Sequence, residues 1–168
     1  MALSTNIRLQ VLSDLTSALD LVTPIAPLNY LKTYQLDSGT GANQADKIWT
    51  DTRTLTASST ENLDLAGVLT DAFGATVTFA RVKALIISAN SLNTNDVVVG
   101  GAATNAFINW VGDATDKIKL KPGSSFMLVA PDATAYPVTA GTGDILLVAN
   151  GAAGTSVTYD IVVIGASA

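Results

Sequence analysis

Between Leu3 and Val22 apolar residues recur every three or four positions, at Leu3, Ile7, Val11, Leu12, Leu15, Leu19 and Val22. That spacing predicts an amphipathic helix, with Ser4 and Thr5 as candidate caps, or failing that an extended arm. Pro24 and Pro27 end the segment, because proline lacks a backbone donor and disfavours helix in the residue before it. Residues 1–27 therefore read as an N-terminal arm that packs on another subunit or folds back on its own domain. Leu3, Ile7, Leu15 and Leu19 are its candidate partner contacts.

From residue 28 the texture changes to short runs with partial two-residue alternation, separated by Gly, Asn, Asp, Ser and Pro. Strands are predicted over 28–36, 48–55, 61–66, 76–89, 96–99, 106–111, 117–120, 125–130, 144–149 and 156–164. The run 76–89 is the longest and the candidate central strand. In the last run Val157, Tyr159, Ile161 and Val163 point one way, Thr158 and Asp160 the other, and then Val162 and Ile164 make both faces apolar. That strand is expected to start at an edge and end in the core. No segment of crossover-helix length separates the runs, so parallel α/β folds are excluded and an all-β, antiparallel β-sandwich over 28–168 remains. A jelly roll is the favoured arrangement, an immunoglobulin-like sandwich the alternative.

Composition changes this picture in one direction. Of the 168 residues 48% are hydrophobic and only 14% charged, against roughly 25% charged in an average soluble domain. A surface so poor in charge suits a chain partly covered by neighbours, that is, a homo-oligomer. The net charge of −5 argues against nucleic acid as a partner, since binding phosphates requires Lys and Arg to displace counterions. No apolar run approaches the roughly 20 residues of a membrane span, and the first ten residues carry no signal-peptide pattern, so a soluble chain without membrane contact is expected.

Chemistry is sparse. The chain has no His and no Cys, which removes the usual general base, the thiolate nucleophile and the favoured transition-metal ligands. No enzyme activity, cofactor or metal is expected. The close carboxylate pairs are Asp14 with Asp20, Glu61 with Asp64, and Asp113 with Asp116, and all read as turn or cap residues more readily than as an acid-base pair. Asn93 to Asp96 and Gly112 to Asp116 offer oxygens for calcium but lack a spaced acidic loop. The glycine-rich stretches 38–41 and 140–143 lack a phosphate-loop lysine and read as hairpin turns. Lys117, Lys119 and Lys121 alternate along one strand, as do Arg81 and Lys83 on another. In an acidic chain the two rows are candidate contacts to a neighbour's carboxylates or guards of exposed edges. Trp49, Trp110, Tyr30, Tyr34, Tyr136 and Tyr159 are the candidates for a sugar-stacking platform, though they are scattered.

Three stretches carry a resemblance: GTGANQADKIWTDTRTL (39–55), ENLDLAGVLTDAFGATVTFARVKALII (61–87) and PGSSFMLVAPDATAYPVTAGTGDILLVANGAAGTSVTYDIVVIGASA (122–168). They resemble a family of small proteins encoded among the structural genes of tailed bacteriophages and prophages. The resemblance covers most of residues 30–168 and brings no functional residues with it. It implies a non-enzymatic virion protein, made in the host bacterial cytoplasm. A capsid decoration (cement) protein is the favoured form, a homotrimer bound to the major capsid protein on the capsid exterior. The alternative it leaves is a tail, neck or fibre component with a receptor- or carbohydrate-binding sandwich.

Overall fold

A computed structural model describes residues 2–168. Fourteen strands follow in order: β1 (Thr5–Thr16), β2 (Ile25–Ser38), β3 (Gln44–Ala45), β4 (Lys47–Leu55), β5 (Thr60–Asp64), β6 (Leu69–Thr70), β7 (Thr76–Val77), β8 (Arg81–Ala89), β9 (Val97–Gly100), β10 (Lys117–Leu120), β11 (Ser125–Val129), β12 (Tyr136–Pro137), β13 (Ile145–Asn150) and β14 (Val157–Ala166).

The body is a two-sheet sandwich. One sheet has the order β11-β8-β14-β4 with β12 beside β8, the other β10-β9-β13-β5. Neighbours in both are antiparallel. The pairing is nested: first long strand with last (β4 with β14), then β5 with β13, β8 with β11, and β9 with β10 at the centre. A long hairpin wrapped until β14 meets β8 and β13 meets β9 gives this order, which is a jelly roll.

The alternation seen in the sequence is what closes it. Val157, Tyr159, Ile161 and Val163 of β14 and Leu85 and Ile87 of β8 face Leu63, Val97, Val99, Leu146 and Val148 of the opposite sheet in one continuous core. Val162 and Ile164, on the other side of β14, lie against a second, smaller cluster made with Ile7, Leu36, Ala45 and Ala84. That explains why both faces of the strand's end are apolar: β14 is covered from outside by the root of the arm. Pairing with β4 begins at Val157 and pairing with β8 at Tyr159, so β14 is a central strand from its third residue onward.

Five sequence expectations are corrected. First, the N-terminal segment is extended, not helical. β1 pairs with β2 over twelve residues, from Thr5↔Leu36 to Thr16↔Ile25. The apolar spacing misleads because a step of four is an even number: Leu3, Ile7, Val11 and Leu15 share a side in a strand as they do on a helix. What decides is the partner, since residues 25–38 supply a complementary strand, whereas an isolated helix of this length is marginal in water. Second, residues 28–36 pair with β1 instead of opening the sandwich, so the arm runs to Ser38 rather than stopping at 27. Third, 106–111 is no strand; Ala106 makes one bridge to Ile145 and the chain then turns, with Val111 N–H bonded to Ile108 O. Fourth, the run 76–89 is interrupted at Phe79 and Ala80, whose amides bond outside the ladder to Leu65 O and Ala166 O. The stretch 38–41 is likewise no hairpin turn, because the strands it joins, β2 and β3, are parallel.

Candidate interaction surface

The arm is built from two strands and nothing else, and every residue from Arg8 to Thr33 is exposed. At about 3.3 Å per residue its paired length is roughly 40 Å, most of it standing clear of the sandwich. The register sorts its side chains. On one face lie the pairs Ile7/Tyr34, Leu9/Lys32, Val11/Tyr30, Ser13/Leu28 and Leu15/Ala26, and on the other Asn6/Gln35, Arg8/Thr33, Gln10/Leu31, Leu12/Asn29, Asp14/Pro27 and Thr16/Ile25. The first face is mostly apolar from root to tip, interrupted by Lys32 and Ser13. The second is polar near the root, where Asn6 Nδ2 donates to Gln35 Oε1 and Arg8 Nε to Asn6 Oδ1. Towards the tip it is half apolar, with Leu12, Ile25, Pro27 and Leu31 each opposite a polar residue, Asn29, Thr16, Asp14 and Gln10 respectively.

The tip closes through Ser17 N–H to Pro24 O and Leu19 N–H to Val22 O, which leaves Leu21 99% exposed. Burying a Leu or Ile is worth about 1.5–3 kcal/mol. Soluble monomers rarely leave a contiguous patch much above ~600 Å², and an isolated two-stranded hairpin is marginal in water. The arm therefore has the composition of an interface.

Its root is fastened by a bulge. Ile164 pairs with Ala84 and Gly165 with Val82, so Lys83 is the extra residue of β8, and a bulge re-aims the side chain it carries. A Cβ on Gly165 would run into Arg81 O and the Phe79 ring. Lys83 is fully buried. Its ammonium donates to Asp132 O and, at 3.2 Å, to Gly41 O, while Arg81 donates to Ala133 O of the same loop. Asn43 N–H adds a bond of 2.6 Å to Pro131 O. Burial pushes the Lys83 ammonium below its usual range, the Arg81 charge adds to this, and the Asp132 carboxylate partly restores it. The row Arg81/Lys83 is thus a clamp between the arm's root and the 130–135 loop, not an exposed basic surface.

The other predicted contacts divide. Leu15 and Leu19 are 75% and 59% exposed, Ile7 is buried in the root cluster, and Leu3 is half-buried against it. Lys121 and Lys119 lie 2.9 and 3.9 Å from one Asp96 oxygen, and Lys117 is exposed on the edge strand β10. No residue pattern pointed to Val68 and Phe73, which stand 70% and 80% exposed around β6. Phe73 lines a cleft of about 200 Å³ with Leu3, Ile48 and Val77.

The polar candidates are absorbed locally. Asp113 Oδ1 accepts from Thr115 N–H and hydroxyl, bonds that hold its carboxyl below the usual range, and Asp116 Oδ2 accepts from Gly112 and Asp113. Asp64 accepts from Ala66 N–H. Glu61 accepts the Tyr159 hydroxyl at 2.5 Å and faces Arg53 Nε at 3.2 Å. Burial, then the bond and charge of Glu61, hold the Tyr159 phenol far above its ordinary range. Asn93 bonds Thr158 in both directions. Among the described residues no three acidic side chains gather into a metal site. Trp49 is buried, and Trp110 donates to Phe107 O and packs on Phe126, so neither presents an open stacking face. Comparison with protein-family models, with curated proteins and with solved structures finds no match to this chain.

Proposed function

We propose that this chain is a non-enzymatic structural protein of a tailed-bacteriophage particle, a decoration protein that binds the outside of the assembled capsid and stabilises it. The observation that carries the reading is the arm: a self-contained jelly roll from which about 30 residues project with apolar side chains uncovered. Such a chain is made to join other proteins. The resemblance of residues 39–55, 61–87 and 122–168 to small proteins of phage structural gene clusters supplies the setting. The absence of His and Cys, and carboxylates bound up in turns and in the Tyr159 contact, fit an architectural role.

The mechanism is avidity. Contacts too weak to hold singly are repeated around a closed oligomer, so that adjacent capsid subunits are held against internal pressure. Removing 1–27 alone would orphan β2, so the informative deletion keeps the root: Gln10–Leu31 replaced by Asn-Gly, which leaves Leu9 opposite Lys32. Purified full-length chain added to undecorated shells co-sediments with them and raises the temperature at which they release DNA; the tip-excised chain does neither. Equal decoration by both chains would remove the arm from the mechanism. Binding to tails in place of shells would move the protein to the neck, tail or fibre.

A further inference from the structure

The two faces of the arm differ in how far the apolar surface extends, and that difference bears on what covers it. Near the root only one face is apolar. Towards the tip both carry large exposed apolar side chains: Val11, Leu15 and Leu28 on one, and Leu12, Ile25 and Leu31 on the other, where they alternate with Gln10, Asp14, Thr16 and Asn29. A two-fold dimer places the same surface of each copy against the other and would cover one face. A tip with such side chains on both faces needs a neighbour on each. We propose that the arm's occupant is other copies of this chain, each tip lying between two neighbours in a closed ring of three or more. The proposal rests on the reading of the arm as the docking element, and not on the virion setting.

The amount and kind of surface agree. Eleven large apolar side chains from Leu9 to Leu31 are exposed. At on the order of 80 Å² each they offer roughly 900 Å² over both faces together, about 450 Å² to each of two neighbours, so that the two contacts jointly reach the ~800 Å² that one partner contributes to a standard interface. From Leu15 to Leu31 the only ionised side chain is Asp20, and interface centres are depleted of charge while enriched in tyrosine, as at Tyr30. Packing is face to face; extension of the sheet along β2 is opposed by Pro27, which lacks the outward donor that an added strand would need there. A lipid surface is the other occupant that an apolar hairpin tip suggests. Here the tip carries acidic Asp14 and Asp20 with no Lys or Arg between Arg8 and Lys32. Anionic headgroups repel such a tip, and the tyrosines sit lower on the arm than a membrane-interface anchor would.

The test is light scattering on the full chain at about 1–50 µM, with Leu15→Lys on the first face, Leu12→Lys on the second, and Arg8→Gln on the polar root of the second face as the control. The expected result is a wild-type mass at least three times that of one chain, kept by Arg8→Gln. Each lysine variant alone falls to monomer with an unchanged circular dichroism spectrum. A wild-type monomer throughout that range overturns the proposal, as does a dimer broken by Leu15→Lys but not by Leu12→Lys. So does a monomer that floats with phosphatidylcholine or phosphatidylglycerol vesicles, which would make lipid the occupant. A monomeric chain that still decorates shells would sink this inference and leave the decoration reading standing. A ring that ignores shells would support this inference and sink the decoration reading.

Discussion

The sandwich and the arm are both antiparallel β-structure with alternating side chains, yet alternation serves opposite ends in them. In the sandwich the apolar side of each long strand meets another sheet, and Leu85, Ile87, Val148, Val157 and Ile161 are buried within 1% of completely. In the arm the same alternation builds a side that meets nothing of its own chain beyond the root residues Leu3, Ile7, Tyr34 and Leu36. Strand periodicity therefore says that a surface will be covered, not by which molecule. The difference lies in chain path: the sandwich strands return to a second sheet, whereas β1 and β2, beyond their root against β3 and β14, have only each other.

The sharpest way to break the comparison is one chemical change made in both regions. Leu85→Ala, at a site 1% exposed, is expected to cost about 2–5 kcal/mol of unfolding free energy. That loss should be the same at every protein concentration. Leu12→Ala, at a site 66% exposed, should cost under ~0.5 kcal/mol in dilute protein, with a further loss appearing only as concentration rises and association begins to stabilise the fold. Urea denaturation followed by tryptophan fluorescence measures both. A concentration-independent loss at Leu12 as large as that at Leu85 would mean that the arm is packed within its own chain.

The junction between the regions offers a second, smaller effect. Lys83→Met removes the ammonium that bonds Gly41 O and Asp132 O and leaves two carbonyls without their donor, at a cost of about 1–3 kcal/mol. The consequence is local. Amide exchange at Asn43, whose N–H is held by Pro131 O, should speed up far more than exchange at Ile161 in β14. Uniform acceleration at both positions would make Lys83 a general core residue and not a fastening of the arm's root.

A third effect belongs to the sandwich alone and appears only in alkali. The Tyr159 phenol is held well above its ordinary range by burial first and by Glu61 second. Above about pH 10 the unfolded chain gives up this proton while the native chain keeps it. The unfolded state then binds fewer protons, so stability is complete below pH 10 and falls above it, by about 1.4 kcal/mol per pH unit from this residue. Tyr159→Phe should flatten that part of the stability curve between pH 10 and 11.5. An unaltered slope would mean that the hydroxyl is not shielded in the way its contact with Glu61 implies.

How much of this was legible in the sequence depends on whether the signal was local. The runs 117–120, 125–130, 144–149 and 156–164 are apolar or alternating stretches bounded by turn residues, and each is a strand within a residue or two of those limits. The doubly apolar end of β14 was also visible and was read as an end in the core; the layer that covers its outer face, the root of the arm, was not. The arm's form was hidden because a spacing of four fits helix and strand alike and the deciding partner lies some 20 residues on. The Lys83 bulge was hidden because it is fixed by the register with Gly165, far along the chain. At 106–111 an apolar run proved to be Phe107 anchoring a turn, after a left-handed Asn105. Val68 and Phe73 have no periodic neighbours and could emerge only once the fold placed them.

The weakest expected effect tests the comparison from its charged side. Lys117, Lys119 and Lys121 form the basic row that sequence suggested as a contact, and two of them already share Asp96 within the chain. Exposed pairs of this kind contribute about 0–1 kcal/mol, so replacing all three by Gln, which removes the pairs without adding repulsion, should lower unfolding free energy by about that much and leave the oligomer's mass unchanged. Any influence on attachment to a larger partner should show as a slower association rate at low salt that disappears near 0.5 M, where screening is nearly complete over ~4–5 Å. The oligomer is the deciding readout. If the triple variant dissociates it at low salt, the contact between copies runs through the β10 edge, and the uncovered apolar arm is left needing a different partner.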